Sequence, residues 1–170
     1  MKKVVLKFGM LGFITAFGLF CLALLLGEGL SYNAQQLLGY GTMVASLSFV
    51  YIGIKHYRDN ENSGSISFGK GLKVGVLISM FASFGIALFD VIYTTLINPD
   101  FVTEYLNTGL AQLETEYSGT ELASKKAELI QQMEDYSHPL FMAAMMFLTT
   151  LIIGFIISLI SAFILKKKRK

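Results

Sequence analysis

A few places in the chain carry residue types that could do chemistry. One is GSISFGKG, Gly64 to Gly71. Gly64, four residues, Gly69 and Lys70 fit the G-x-x-x-x-G-K frame, in which backbone N–H groups cradle phosphates and the lysine reaches them. Another is Asp90, an ionisable residue inside a long apolar run. Charge within a membrane span is a functional hypothesis by default. The histidines, His56 and His138, and the acids Glu134 and Asp135 are metal-ligating types.

Context weakens most of these readings. A phosphate loop needs a preceding strand, a soluble helix behind it and a final Ser or Thr for Mg²⁺. Here apolar blocks lie on both sides and Gly71 holds the last position. Nucleotide binding is not expected. Asn60 to Ser65 reads instead as a short polar turn, with Ser67 capping the next helix and Phe68 at the lipid interface. Glu134, Asp135 and His138 lack further ligands and read as a solvated helix end. Cys21 is the only cysteine, which excludes an intrachain disulfide and reads as a small buried hydrophobe. Glu28 follows an apolar run and reads as an ordinary loop residue. No H-E-x-x-H, aspartate-rich or Ser/His/Asp pattern is present, so no enzyme activity, catalytic residue, metal or cofactor is expected.

Asp90 remains. It lies seven residues before Ile97, about 10 Å below the end of a helix at about 1.5 Å per residue. Tyr93, Tyr32 and Asn33 are its expected partners by depth. A hydrogen-bonded structural clamp is the favoured reading, and an ion or proton site is the alternative.

The elements that must position these residues follow from composition. The chain has 170 residues, 54% hydrophobic and 15% charged, with a mean hydropathy of +0.58. Soluble domains carry about 25% charged residues. The apolar residues fall in blocks at about 8–27, 37–54, 72–97 and 140–165, each long enough to cross the hydrocarbon. The first block reads as a retained helix because it is long for a signal core and no small-x-small site precedes Glu28. The expected fold class is an all-α integral membrane protein. It is a single membrane domain over 1–170, with four transmembrane helices plus an extramembrane helical hairpin between helices 3 and 4.

Basic residues set the expected orientation. Lys2, Lys3, Lys7, Lys55, Arg58, Lys70, Lys73, Lys166, Lys167, Lys168, Arg169 and Lys170 fall on one side of a four-span topology. Lys125 and Lys126 fall on the other, with Glu28, Asp100, Glu104, Glu114, Glu116, Glu121, Glu128, Glu134 and Asp135. Both termini are therefore expected in the cytoplasm of a bacterial inner-membrane protein, and residues 99–138 outside. That topology puts His56 and His138 on opposite sides, unable to share a metal within one subunit. Tyr51 and Tyr57, and Tyr32, Tyr40 and Tyr93, are expected near the two interfaces.

Residues 99–138 are too long for a plain loop. Val102, Tyr105, Leu106, Leu110, Leu113 and Tyr117 mark one helical face, starting at Pro99 with Asn98 as cap. Ser118 to Glu121 reads as a break and a capping box. Leu122, Leu129, Ile130 and Met133 mark a second helix that ends at His138-Pro139. Because the polar faces are acidic, packing helix against helix is expected over lying on the bilayer. Within the third span, Gly71, Gly75, Ser79, Ser83 and Ala87 form a small-residue stripe that lets another helix approach. Packing inside the bundle is the favoured reading, and a homo-oligomer seam is the alternative. The second span offers Gly41 and Ala45, the fourth Gly154, Ser158 and Ala162.

Tyr57-Arg58-Asp59, Gly64 with Ile66-Ser67-Phe68-Gly69, and Asn98-Pro99-Asp100-Phe101 resemble the pattern of a bacterial membrane family catalogued as domain of unknown function 4199. The resemblance covers nearly the whole chain and implies an integral membrane protein from a bacterium of the Bacteroidota type. It transfers no reaction, ligand or site. The expected role is structural or accessory in the cell envelope, with the acidic hairpin (99–138) engaging another envelope protein. A small-solute or ion transporter or channel using Asp90 is the alternative. The bilayer is the expected lipid partner, contacted through Lys166, Lys167, Lys168, Arg169 and Lys170; nucleic acid is not expected.

Overall fold

The computed structural model describes residues 1–27 and 29–167, the side chain of Tyr32 excepted. Its elements are α1 (Lys2–Gly27), α2 (Tyr32–His56), α3 (Phe68–Ile92), α4 (Phe101–Glu116), α5 (Gly119–Tyr136) and α6 (Pro139–Leu165). π-helical turns, Tyr57–Glu61 and Tyr93–Ile97, prolong α2 and α3. The segments Lys2–Gly27, Asn33–Glu61, Phe68–Ile97 and Pro139–Leu165 are long and apolar enough to cross a membrane. The protein is thus an all-α membrane protein. Its helices outrun the apolar blocks at several ends, because a helix keeps its backbone bonded on leaving the hydrocarbon whereas an apolar block ends at the headgroups.

The chain separates into two compact units, Met1–Phe89 with Met146–Lys170, and Asp90–Met145. In the first, α1, α2, α3 and α6 alternate in direction. Phe8 meets His56 with ring centroids 5.1 Å apart, so the start of α1 lies at the end of α2. α1 and α3 run parallel: Gly9 lies against Phe81, Gly85 against Phe13, and Phe17 against Phe89. α3 and α6 run antiparallel, matching Gly71 with Ala162, Gly75 with Ser158 and Ser79 with Gly154. Leu47, Val50, Ile54, Val74, Ile78, Ala82 and Ile86 fill the core.

Small residues set how close these helices come. A Cβ built on Gly75 would stand 2.6 Å from Ser158 Oγ, and one on Gly154 2.6 Å from Ser79 Cβ. Lipid chains are as apolar as leucine, so this packing rests on close van der Waals fit and interhelical polar contacts. Ser79 and Ser158 Oγ are 3.4 Å apart, and each also donates to the carbonyl four residues earlier, Gly75 and Gly154. These bonds satisfy hydroxyls that the interior would otherwise strand.

The second unit holds the helical hairpin. α4 and α5 are antiparallel, with Gly109 against Leu129 and Glu114 paired with Lys126. Neither helix has a fully buried residue. α4 begins at Phe101 rather than at Pro99. Asp100 takes the N-cap position, and Asn98 ends the preceding π-helical turn by donating its N–H to Tyr93 O at 2.8 Å. Ser118 does occupy the N-cap of α5, but its side chain makes no capping bond; its carbonyl meets Leu122 N at 3.5 Å.

Candidate functional site

The GSISFGKG stretch forms the connection from α2 to α3 and the first turn of α3. Gly64 takes a left-handed conformation, φ 72°, beside Ser63 at φ 53°. This reversal is easy for glycine because it lacks a Cβ. Gly64 N–H donates to Arg58 O at 2.8 Å. Several amides that a phosphate would need are already used, including those of Ser65, bonded to Asn62 O, and Ile66, bonded to Lys167 O. Lys70 N–H reaches Ser67 Oγ at 3.4 Å, and Gly71 N–H reaches Ser67 O at 2.9 Å. Ser67 is thus the cap expected from the sequence, and Phe68 is exposed. Lys70 Nζ meets Asn62 Oδ1 at 3.1 Å and lies 5.5 Å from the Tyr57 ring centroid. Tyr57, at the end of α2 as expected, is buried beneath that lysine.

The same connection fastens the end of the chain. Ile66 and Lys167 exchange backbone bonds of 3.0 and 2.9 Å as an isolated antiparallel bridge. Arg58 pairs with Asp59 at 2.7 Å and reaches Leu165 O at 3.4 Å. Glu61 pairs with the Met1 ammonium at 2.7 Å. No sequence period signals the contacts of Ile66 with Lys167, of Arg58 with Leu165 or of Glu61 with Met1, since each joins segments far apart in the chain. Lys55, Lys70, Lys73, Lys166 and Lys167 are all exposed at this end. Lys168, Arg169 and Lys170, expected to contact anionic lipid, lie outside the described residues.

In the second unit, Asp90 Oδ2 is buried and receives no hydrogen bond from a described residue. Its backbone carbonyl accepts a bond from Thr94 Oγ1 at 2.8 Å. Of the partners expected by depth, Asn33 is exposed, Tyr93 OH accepts from Asn98 Nδ2 at 3.4 Å, and the Tyr32 side chain lies outside the described residues. Glu28 also lies outside them. Asn98 Nδ2 further donates to Glu104 Oε2 at 2.8 Å, and Phe101 packs edge-on to Tyr93 at 5.5 Å.

The hairpin surface is acidic because its lysines are spent internally. Lys126 pairs with Glu114, and Lys125 with Glu128 at 3.0 Å. The hydrogen bond that its ammonium donates to Glu128 holds Lys125 above its usual range. Glu116, Glu121, Glu134 and Asp135 remain exposed. Tyr105, Ile130 and Tyr136 are exposed among them. His138 Nδ1 accepts a bond from Leu140 N at 3.3 Å, capping α6. Among the described residues no group of three His, Cys, Asp or Glu side chains could hold a metal.

The small-residue stripe faces inward. Gly71, Gly75, Ser79 and Ser83 are buried and Ala87 is half-buried. Gly71, Gly75 and Ser79 meet α6 of the same chain. Sequence spacing missed Gly85, off the stripe's row, where a Cβ would stand 2.7 Å from Phe13 O. Ser83, a member of the stripe, has its Oγ buried with no partner among the described residues.

The family model "Protein of unknown function (DUF4199)" matches residues 7–167, and the chain belongs to that family. No curated protein and no solved structure matches it. The residues that carry the resemblance have structural employment here. Tyr57, Arg58, Gly64, Ile66 and Ser67 build the α2–α3 connection, while Asn98 and Phe101 shape the entry to α4.

Proposed function

We propose that this member of the DUF4199 family is a non-enzymatic accessory protein of the bacterial inner membrane that engages another envelope protein through its acidic hairpin. The observation that carries this reading is the internal pairing of both hairpin lysines, which leaves Glu116, Glu134 and Asp135 outside any ion pair among the described residues and Glu121 sharing Lys125 with Glu128. Complementary charge speeds encounter and selects partners, so a basic surface is the fitting counterpart. Exposed Tyr105, Ile130 and Tyr136 supply the apolar contact area that charge alone lacks. In this reading both termini are cytoplasmic and the hairpin is external.

The test is affinity purification of the full chain in mild detergent, comparing wild type with a Glu116→Gln, Glu121→Gln, Glu134→Gln, Asp135→Gln variant. A basic envelope protein should be recovered with wild type, released by salt and absent with the variant. An unchanged set of co-purifying proteins would sink the reading.

A second reading rests on Asp90, whose Oδ2 is buried and unpartnered among described residues. Such a carboxylate suits an ion or proton site in a transporter or channel. Proteoliposome flux separates the two: flux abolished in a stably folded Asp90→Asn variant favours transport, and no flux in wild type removes it.

A further inference from the structure

We infer that the end of the bundle formed by the α2–α3 connection, the first turn of α3 and the exit of α6 is a binding surface for anionic phospholipid headgroups. Sequence places lysines near span ends; only the tertiary contacts bring those of α3 and α6 together. Gly71 packs on Ala162, with a Cβ-to-Cβ separation of 3.1 Å for an added methyl, and Ile66 bridges to Lys167. Lys70, Lys166 and Lys167 therefore gather at one end of the bundle, with Lys73 one turn beyond Lys70 on the outer side of α3, and all four are exposed.

The acids at this junction offset them only in part, although Asp59 lies near enough to Lys55 and Lys167 for their charges to act on it. The direct ion pair of Asp59 is with Arg58, and that of Glu61 is with the Met1 ammonium. Lys70 has a neutral amide and a tyrosine ring as its partners. Lys166 Nζ sits 3.9 Å from the Phe163 ring centroid. Phe163 is 62% exposed and Phe68 is 40% exposed. Ammonium groups thus stand at the rim of exposed apolar rings, on the last turns of spanning helices. A phospholipid matches both halves of this surface: its phosphate meets the lysines while its acyl chains cover the rings. A free phosphate or nucleic acid would leave the rings uncovered, so the bilayer lipid is the occupant.

The test uses the full chain in nanodiscs of mixed phosphatidylglycerol and phosphatidylcholine, with retained lipids counted by native mass spectrometry after release. Phosphatidylglycerol should be enriched over phosphatidylcholine. Each lysine is worth about fivefold in partitioning at low salt. A Lys70→Gln, Lys73→Gln, Lys166→Gln, Lys167→Gln variant should therefore lose the enrichment, while Lys125→Gln with Lys126→Gln on the hairpin should keep it. Should the fourfold variant fail to fold by circular dichroism, wild type supplies the readout: enrichment should fall steeply with added NaCl and resist inorganic phosphate. Equal retention of both lipids by wild type overturns the proposal. So does equal loss in both lysine variants, enrichment insensitive to salt, or displacement by inorganic phosphate at matched ionic strength.

Discussion

Single residues decide how closely the spans approach, and the sharpest case is Gly85. A methyl there meets the backbone oxygen of Phe13 at 2.7 Å, and backbone has no rotamer by which to retreat. At Gly109 the obstacle is the far end of the Leu129 side chain, 2.9 Å away, which can swing aside. Gly85→Ala should cost about 1–3 kcal/mol, the usual range for overpacking, and Gly109→Ala should be near neutral. Thermal unfolding in detergent ranks the two, and equal losses would contradict the packing described. Asp90 invites a second substitution. Because Oδ2 is buried without a described partner, Asp90→Asn should leave the melting temperature unchanged or raise it if the carboxylate has no structural partner. A large drop would identify a clamp instead, the role expected first from the sequence.

At the scale of elements, the hairpin is held by modest forces. Glu114–Lys126 is an exposed pair, worth about 0.2–1 kcal/mol and screened by salt. A double-mutant cycle on that pair should give a coupling in this range, read from hairpin helicity on heating; a coupling that persisted at high salt would mean a dry contact instead. The Lys125–Glu128 pair carries a pH consequence. Its lysine is raised above the ordinary 10.5 by the hydrogen bond it donates to Glu128. The pair's contribution is therefore full below that ordinary value and lost as pH rises through the raised one. Circular dichroism should find no loss of hairpin helicity on this account near neutral pH, and a weakening only in strong alkali. The paired helices were legible in sequence because apolar residues recur with helical period. The start of α4 was not, because Asn98 is drawn into the π-helical turn by Tyr93 and leaves Asp100 at the cap position.

For the whole molecule, orientation is the property on which the proposed partner depends. With Cys21→Ser as background, Thr120→Cys should react with an impermeant maleimide on spheroplasts, while a cysteine at Lys73 should react only after lysis. The reverse pattern would turn the hairpin inward and remove an external envelope partner. By itself the sequence determined the membrane class, the helices and the hairpin, since these depend on local quantities: the length of an apolar run and the period of a face. Tertiary structure decided which small residues touch, that Tyr57 lies under Lys70, and that Ile66 and Lys167 close the basic end into one junction. Those facts depend on which helix sits beside which. In a bilayer, where every span is apolar, that choice is made by close fit between particular surfaces rather than by hydrophobicity.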